Sequence, residues 1–155
     1  MRKRLLTSLA VVFALIATAF ASATPAQAAY GAEIPVTVQV SAYSQNVGMV
    51  TGWVQFDDGR TSFRYELSFC RESSFAAPTL EIHVNNALYR TIYHSGGGSM
   101  TPCRFAMGVA QTENYGSPVS SVQFIVIGSS FNQNVYRTHR SSNGSSYGKV
   151  INPYF

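Results

Sequence analysis

Three histidines, two cysteines and seven carboxylates are the residues of this 155-residue chain that could carry chemistry. His83, His94 and His139 stand outside metal spacing of one another. A zinc site needs three or four convergent ligands, so the sequence predicts no metal and no cofactor. The reading for all three is a histidine on an exposed strand or loop. Asp57 and Asp58 are accounted for by a turn, and Glu66 and Glu81 fall on outward strand positions. Paired-carboxylate glycoside chemistry would need two such groups to meet across a cleft. No G-x-S-x-G occurs, and a chain this rich in serine offers candidate nucleophiles by chance. Gly96–Gly98 lacks the Lys-Ser/Thr and the following helix of a phosphate loop, and reads as a plain flexible loop. The expectation is therefore a protein that is not an enzyme, with no catalytic residue.

Cys70 and Cys103 remain, each at the edge of a strand-like run. In an oxidising compartment they read as a structural disulfide rather than two free thiols. Closing a loop of about 34 residues contributes roughly 4 kcal/mol on the chain-entropy account.

With catalysis set aside, the surface carries the candidates for binding. Trp53 is expected opposite Arg64 on a polar sheet face. The pair reads either as a cation–π staple covering that face or as a binding hot spot. Near the C-terminus, Tyr136, Arg137, His139, Arg140 and Lys149 gather positive charge beside aromatics. Tyr154 and Phe155 end the chain. They either close the core as a last strand, which is the favoured reading, or reach a partner.

The elements that must position these residues begin after an export signal. Arg2, Lys3 and Arg4 precede an apolar run from Leu5 to Phe20, and Ala26-Gln27-Ala28 supplies an A-x-A cleavage site. A membrane span needs about 20 apolar residues, more than this run offers. Residues 1–28 are thus expected to be removed, leaving a secreted domain, 29–155, of 127 residues with no membrane segment. Three of the 11 Lys and Arg leave with the signal, so 8 cations face 7 anions in what remains. The basic pI therefore carries no expectation of nucleic-acid binding.

Within that domain the period is two. Ile34, Val36, Val38, Val40 and Ala42 alternate with Pro35, Thr37, Gln39 and Ser41. Ser44–Gly48 reads as a turn, with a second strand from about Met49 to Phe56. Asp58-Gly59 reads as a type I′ turn that pairs Asp57 with Arg60, Val54 with Phe63 and Trp53 with Arg64. A loop follows from Arg71 to Pro78. Further strands are expected over Leu80–Val84, Leu88–Tyr93, Cys103–Val109, Val122–Ile127 and Asn134–His139, with an Asn85-Asn86 turn. Asn143-Gly144-Ser145 matches a glycosylation sequon, of little meaning if the chain is bacterial. No helical period is persuasive, and no internal repeat or linker is present. The fold class is all-β: a single small antiparallel β-sandwich with one disulfide, a small barrel being second.

The export signal with Ala26-Gln27-Ala28, the size, the β pattern from Ile34 to His139 and the arm Ala29–Glu33 resemble small secreted proteins of Gram-positive soil bacteria. More loosely, this format resembles the adaptor subunit of umbrella toxin particles. The resemblance implies a non-enzymatic adaptor whose sheet edge or free N-terminal arm pairs with strands of other secreted proteins in an extracellular, toxin-like complex. It transfers no individual residue. The alternatives are an inhibitor of a secreted enzyme, acting through Arg71–Pro78 or His94–Pro102, and a carbohydrate-binding module with Trp53 as platform. A small secreted hydrolase ranks last. On the export reading, N-terminal sequencing of the protein from culture medium is expected to start at Ala29. An intact Met1 in the medium would refute it.

Overall fold

A computed structural model describes residues 29–95, 103, 106–141 and 148–155. The export signal, the Gly96–Gly98 loop and the sequon at Asn143 lie outside the described residues. Nine strands follow in order: β1 (Ile34–Ala42), β2 (Gln45–Phe56), β3 (Ser62–Arg71), β4 (Thr79–Val84), β5 (Ala87–Tyr93), β6 (Ala106–Asn114), β7 (Ser121–Asn132), β8 (Val135–Arg140) and β9 (Lys149–Ile151). They form two antiparallel sheets. One has the order β1-β2-β3-β6; the other runs β5-β4-β7-β8, with β9 also paired to β7. The expected all-β sandwich is what the chain forms.

Alternation explains the layers. Val36, Val38 and Val40 of β1, Val50 and Val54 of β2, and Phe63, Tyr65, Leu67 and Phe69 of β3 are buried. They face Leu80, Ile82 and Val84 of β4 and Val122, Phe124 and Val126 of β7. Fully burying one such side chain is worth about 1.5–3 kcal/mol. Tyr65 meets Phe124 edge-on across the sheets, with ring centroids 5.9 Å apart. As expected, β7 is apolar on both faces over much of its length because it lies centrally, with Val122, Phe124, Ile125 and Val126 all buried. Cys70, at the end of β3, is joined to Cys103 ahead of β6, with Cα atoms 5.9 Å apart.

The turns depart from the expected positions. Asp58-Gly59 is not a type I′ turn: neither residue has positive φ, whereas Arg60 does. Asp57, almost fully buried, accepts the Ser62 N–H at 2.8 Å, and the Arg60 N–H reaches Asp57 O at 3.1 Å. The longer loop moves every partner by two: Phe56 pairs with Phe63, Val54 with Tyr65 and Trp53 with Glu66. A shift of two preserves the faces, which is why the apolar pattern matched the expected register as well as this one. Positive φ at both central residues, as the I′ turn requires, occurs instead at Tyr43-Ser44, Asn85-Asn86 and Gln133-Asn134. The turn is therefore Tyr43-Ser44, earlier and tighter than the expected Ser44–Gly48, and β2 starts at Gln45. A bulge between Val40 and Ser41 of β1 absorbs the mismatch across the strand pair.

Close packing between the sheets makes a specific demand at Gly128. A Cβ there would fall far inside van der Waals contact of Val47 Cγ1, whereas a Cβ on Gly108 meets nothing within 4 Å. Gly128→Ala is expected to destabilise the fold by about 1–3 kcal/mol, as overpacking does, and Gly108→Ala by less than about 0.5. Denaturant titration of both variants checks this; equal midpoints would contradict the packing described.

Candidate functional site

Of the outer strands among the described residues, β6 stands apart. β1 begins with Pro35 near its end, β5 carries Arg90, and β8 spans only Val135–Arg140. β6 pairs with β3 over nine residues without a bulge and has no strand on its other flank among the described residues. About half of its backbone groups point away from β3, as antiparallel geometry dictates. It contains neither proline nor lysine, the usual protections of an edge.

What holds this edge in place is a buried carboxylate. Glu113 of β6 is 5 % exposed. It accepts the Tyr89 hydroxyl at 2.9 Å and the Tyr65 hydroxyl at 3.4 Å, and forms an ion pair with Arg90 at 3.1 Å. Tyr89 and Arg90 belong to β5, so the carboxylate fastens β6 to the facing sheet. A charge this buried is tolerated only with such partners. Burial, then the Glu113 charge, push the Tyr65 phenol up to about 12. Burial and the bond to Glu113 raise Tyr89 as well.

On the outer face, a trough of about 460 Å³ runs from Trp53 and Gly52 of β2, past Glu66 and Ser68 of β3, to Gly108 and Ala110 of β6. Small residues at Gly108 and Ala110 leave it open toward the edge. Trp53 is half-buried between Pro35 and Glu66. The expected Trp53–Arg64 staple is replaced: Arg64 Nε donates to Gln55 Oε1 at 2.7 Å, and its guanidinium lies 4.5 Å over the ring of Tyr30. The two-residue register shift is the cause. Trp53 and Arg64 still border one shallow depression with Gln111 and Thr112.

The remaining candidates are dispersed. Arg140 binds Glu81 at 2.7 Å, and His83 lies 2.9 Å from the same carboxylate. Burial pushes Glu81 up, but the bonds from His83 and Arg140 outweigh it and hold the group below its ordinary value. Arg137 is exposed on β8. The tail packs down as a last strand, β9, with Asn152 Nδ2 donating to Val119 O, but Tyr154 and Phe155 lie beyond that strand and do not close the core as expected. Tyr154 lies over Gly31, while Phe155 remains exposed. The N-terminal arm is not free. Asp58 N–H donates to Ala29 O, Gly31 N–H to Phe56 O, and Gln55 Nε2 to Gly31 O.

The histidines also differ from expectation. His94 is buried edge-on to Phe69 at 5.2 Å, and His139 shares a 2.7 Å hydrogen bond with Ser130. The metal-ligand types, His, Cys, Asp and Glu, form no group of three or more among the described residues. Sequence reasoning missed a second surface at the turn end of the sandwich, where Tyr43, Phe75, Phe131 and Tyr136 are all more than half exposed. The available signal was that all four sit in, or within two residues of, a turn or loop, where a core role is rare.

Because Tyr65 has a higher pKa folded than unfolded, its contribution to stability is complete below pH 10 and is lost between pH 10 and about 12. Unfolding free energy is expected to fall across that window, and by less in Tyr65→Phe; equal slopes in the two proteins would contradict the buried Tyr65–Glu113 contact.

No family model matches the chain, and neither a curated protein nor a solved structure was found to be similar to it.

Proposed function

We propose that this chain is a non-enzymatic adaptor of the cell exterior, which recruits another secreted protein by adding the partner's extended strand to β6. The observation that carries the reading is the nine-residue, bulge-free β6 edge opening directly onto the trough beside Trp53. Strand addition draws affinity from main-chain hydrogen bonds and specificity from pockets for alternate side chains. β6 supplies the first. The trough supplies the second, since side chains of an added strand would cross Gly108 and Ala110 toward Glu66 and Trp53. Each main-chain bond contributes roughly 0.5–1.5 kcal/mol net, so four or five of them suit a stable subunit contact.

The Cys70–Cys103 disulfide agrees with an extracellular setting, and the A-x-A site with export. The docked N-terminal arm removes one of the two pairing elements that the umbrella-particle resemblance implies, leaving the edge. An inhibitory loop at residues 72–78 is less favoured, because that segment is hydrogen-bonded down along β7.

Purifying the tagged protein from the medium of its own organism is expected to yield a stoichiometric secreted partner. In the complex, amide exchange should slow at alternate residues of 106–114. The double variant Gly108→Lys/Ala110→Lys alters only exposed positions and places charge on the edge, so it should keep the parental Tm. It should lose at least about tenfold in partner capture. Protection confined to other strands, or full capture by the double variant, would overturn the proposal.

A further inference from the structure

We infer that the turn end of the sandwich is a second, separate binding site, and that its ligand is a neutral saccharide. Phe75 and Phe131 stack with centroids 5.3 Å apart and planes inclined by 25°. Tyr136 meets Phe75 edge-on at 6.2 Å. Tyr43 forms the tip of the β1–β2 turn. Their exposures run from 52 to 61 %, an unusual concentration of apolar surface for a chain with a well-filled core.

Phe75, at the centre of these rings, is held outward by the backbone beneath it. The Phe75 N–H donates to Ser129 O at 2.9 Å, and the Ala76 N–H to Ser129 Oγ at 2.8 Å. The Arg71 guanidinium donates to Phe75 O at 2.8 Å and to Ser74 O at 3.0 Å. Ser74 is itself buried and donates to Ala76 O at 2.5 Å. A loop fixed at so many points loses little entropy when a ligand arrives, which favours binding.

Beside the rings lies an open groove of about 420 Å³, bordered by Tyr43, Phe75, Phe131, Gln45 and Asn132. Its size falls within the range of small-ligand sites. No residue lining it carries a formal charge at neutral pH. Two cations stand at its border: Arg71, whose guanidinium is engaged by the Ser74 and Phe75 carbonyls, and Arg137, opposite Ser130 on β8. The side-chain amides of Gln45 and Asn132 make no hydrogen bond to other described residues, so each offers both a donor and an acceptor.

That combination selects a ligand class. Aromatic faces accept the C–H face of a pyranose ring, and free amides pair with vicinal hydroxyls. An anionic ligand would call for a cluster of cations, and a membrane surface for several Lys or Arg around the rings; the groove has neither. The site is also distinct from β6. Tyr43 ends β1, the outer strand on the opposite side of the same sheet, three inter-strand spacings or about 14 Å away.

The test is calorimetry on the disulfide-bonded protein. The ligands are neutral hexaoses of glucose, mannose and N-acetylglucosamine, a heparin oligosaccharide, and vesicles containing phosphatidylglycerol. At least one neutral hexaose is expected to bind, with affinity unchanged between 0.1 and about 1 M salt, since no ion pair is involved. Phe75→Ala and Gln45→Ala/Asn132→Ala should each weaken it about tenfold or more while leaving Tm unchanged, because these side chains are exposed or make no internal bond. Gly108→Lys/Ala110→Lys should bind the saccharide as the parent does, which separates this site from the strand-addition edge. Heparin binding that salt abolishes, vesicle binding alone, no binding to any neutral hexaose, or binding indifferent to Phe75 would each overturn the inference.

Discussion

The contact on which most of this architecture depends is that of Tyr65 with Phe124 across the two sheets. Its ring fills the middle of the core, and its hydroxyl reaches the Glu113 carboxylate at the rim. An apolar body with a polar tip spans the boundary between dry interior and edge, which phenylalanine at the same position could not do. Around it, Phe63 stacks on Tyr65 and Tyr89 closes edge-on over Phe63. The core thereby continues as a run of rings into the β5–β6 rim. Glu113 is buried because these rings cover it, and it is tolerated because Tyr65, Tyr89 and Arg90 satisfy it.

Edge strands are where a sandwich is open to pairing, and this chain treats its edges unequally. The β1 edge begins with a proline and lies beyond an arm that is hydrogen-bonded across the end of β2. β5 turns Arg90 inward to Glu113, and β8 and β9 divide one flank of β7 between them as short strands. β6 is long and straight, and carries alanine and glycine where protective charges usually stand. Its one charge points inward and is already neutralised. An edge fastened so firmly at Glu113, with no strand outward of it among the described residues, suits pairing with another chain.

The turn end solves a different problem. Phe75, against which Phe131 and Tyr136 pack, is kept in water by a loop whose backbone is held by Ser129 and Arg71. The serines at 74 and 129 are buried, so the polar groups that fix the loop are themselves shielded and strong. Rigid support beneath exposed aromatics is the reverse of what a merely solvated loop requires. The β6 edge and Tyr43 of the aromatic end lie at opposite sides of one sheet, an arrangement by which a single domain could hold two ligands at once.

Much of the fold was legible in the residues. Alternation from Ile34 to Ala42, the doubly apolar run at Val122–Ile127, the Asn85-Asn86 turn and the cysteine pair specify strands, a central strand, a hairpin and a cross-link from local rules alone. Period-two patterning cannot separate registers that differ by two residues, because both keep the same side chains inside. That is why Asp58-Gly59 misled: the Asp57 carboxylate, buried by contacts distant in sequence, captured the Ser62 N–H and lengthened the loop. Trp53 thus faces Glu66, and Arg64 finds Tyr30, a residue 34 positions away. The aromatic end was beyond sequence reasoning for the same reason. Tyr43, Phe75, Phe131 and Tyr136 come from three separate segments, and only the packing of two sheets brings those segments to one end. The sequence by itself determined which apolar strand residues go inside; tertiary structure decided which polar groups are buried with them and which of the remainder meet, because both depend on register and strand order rather than on local pattern.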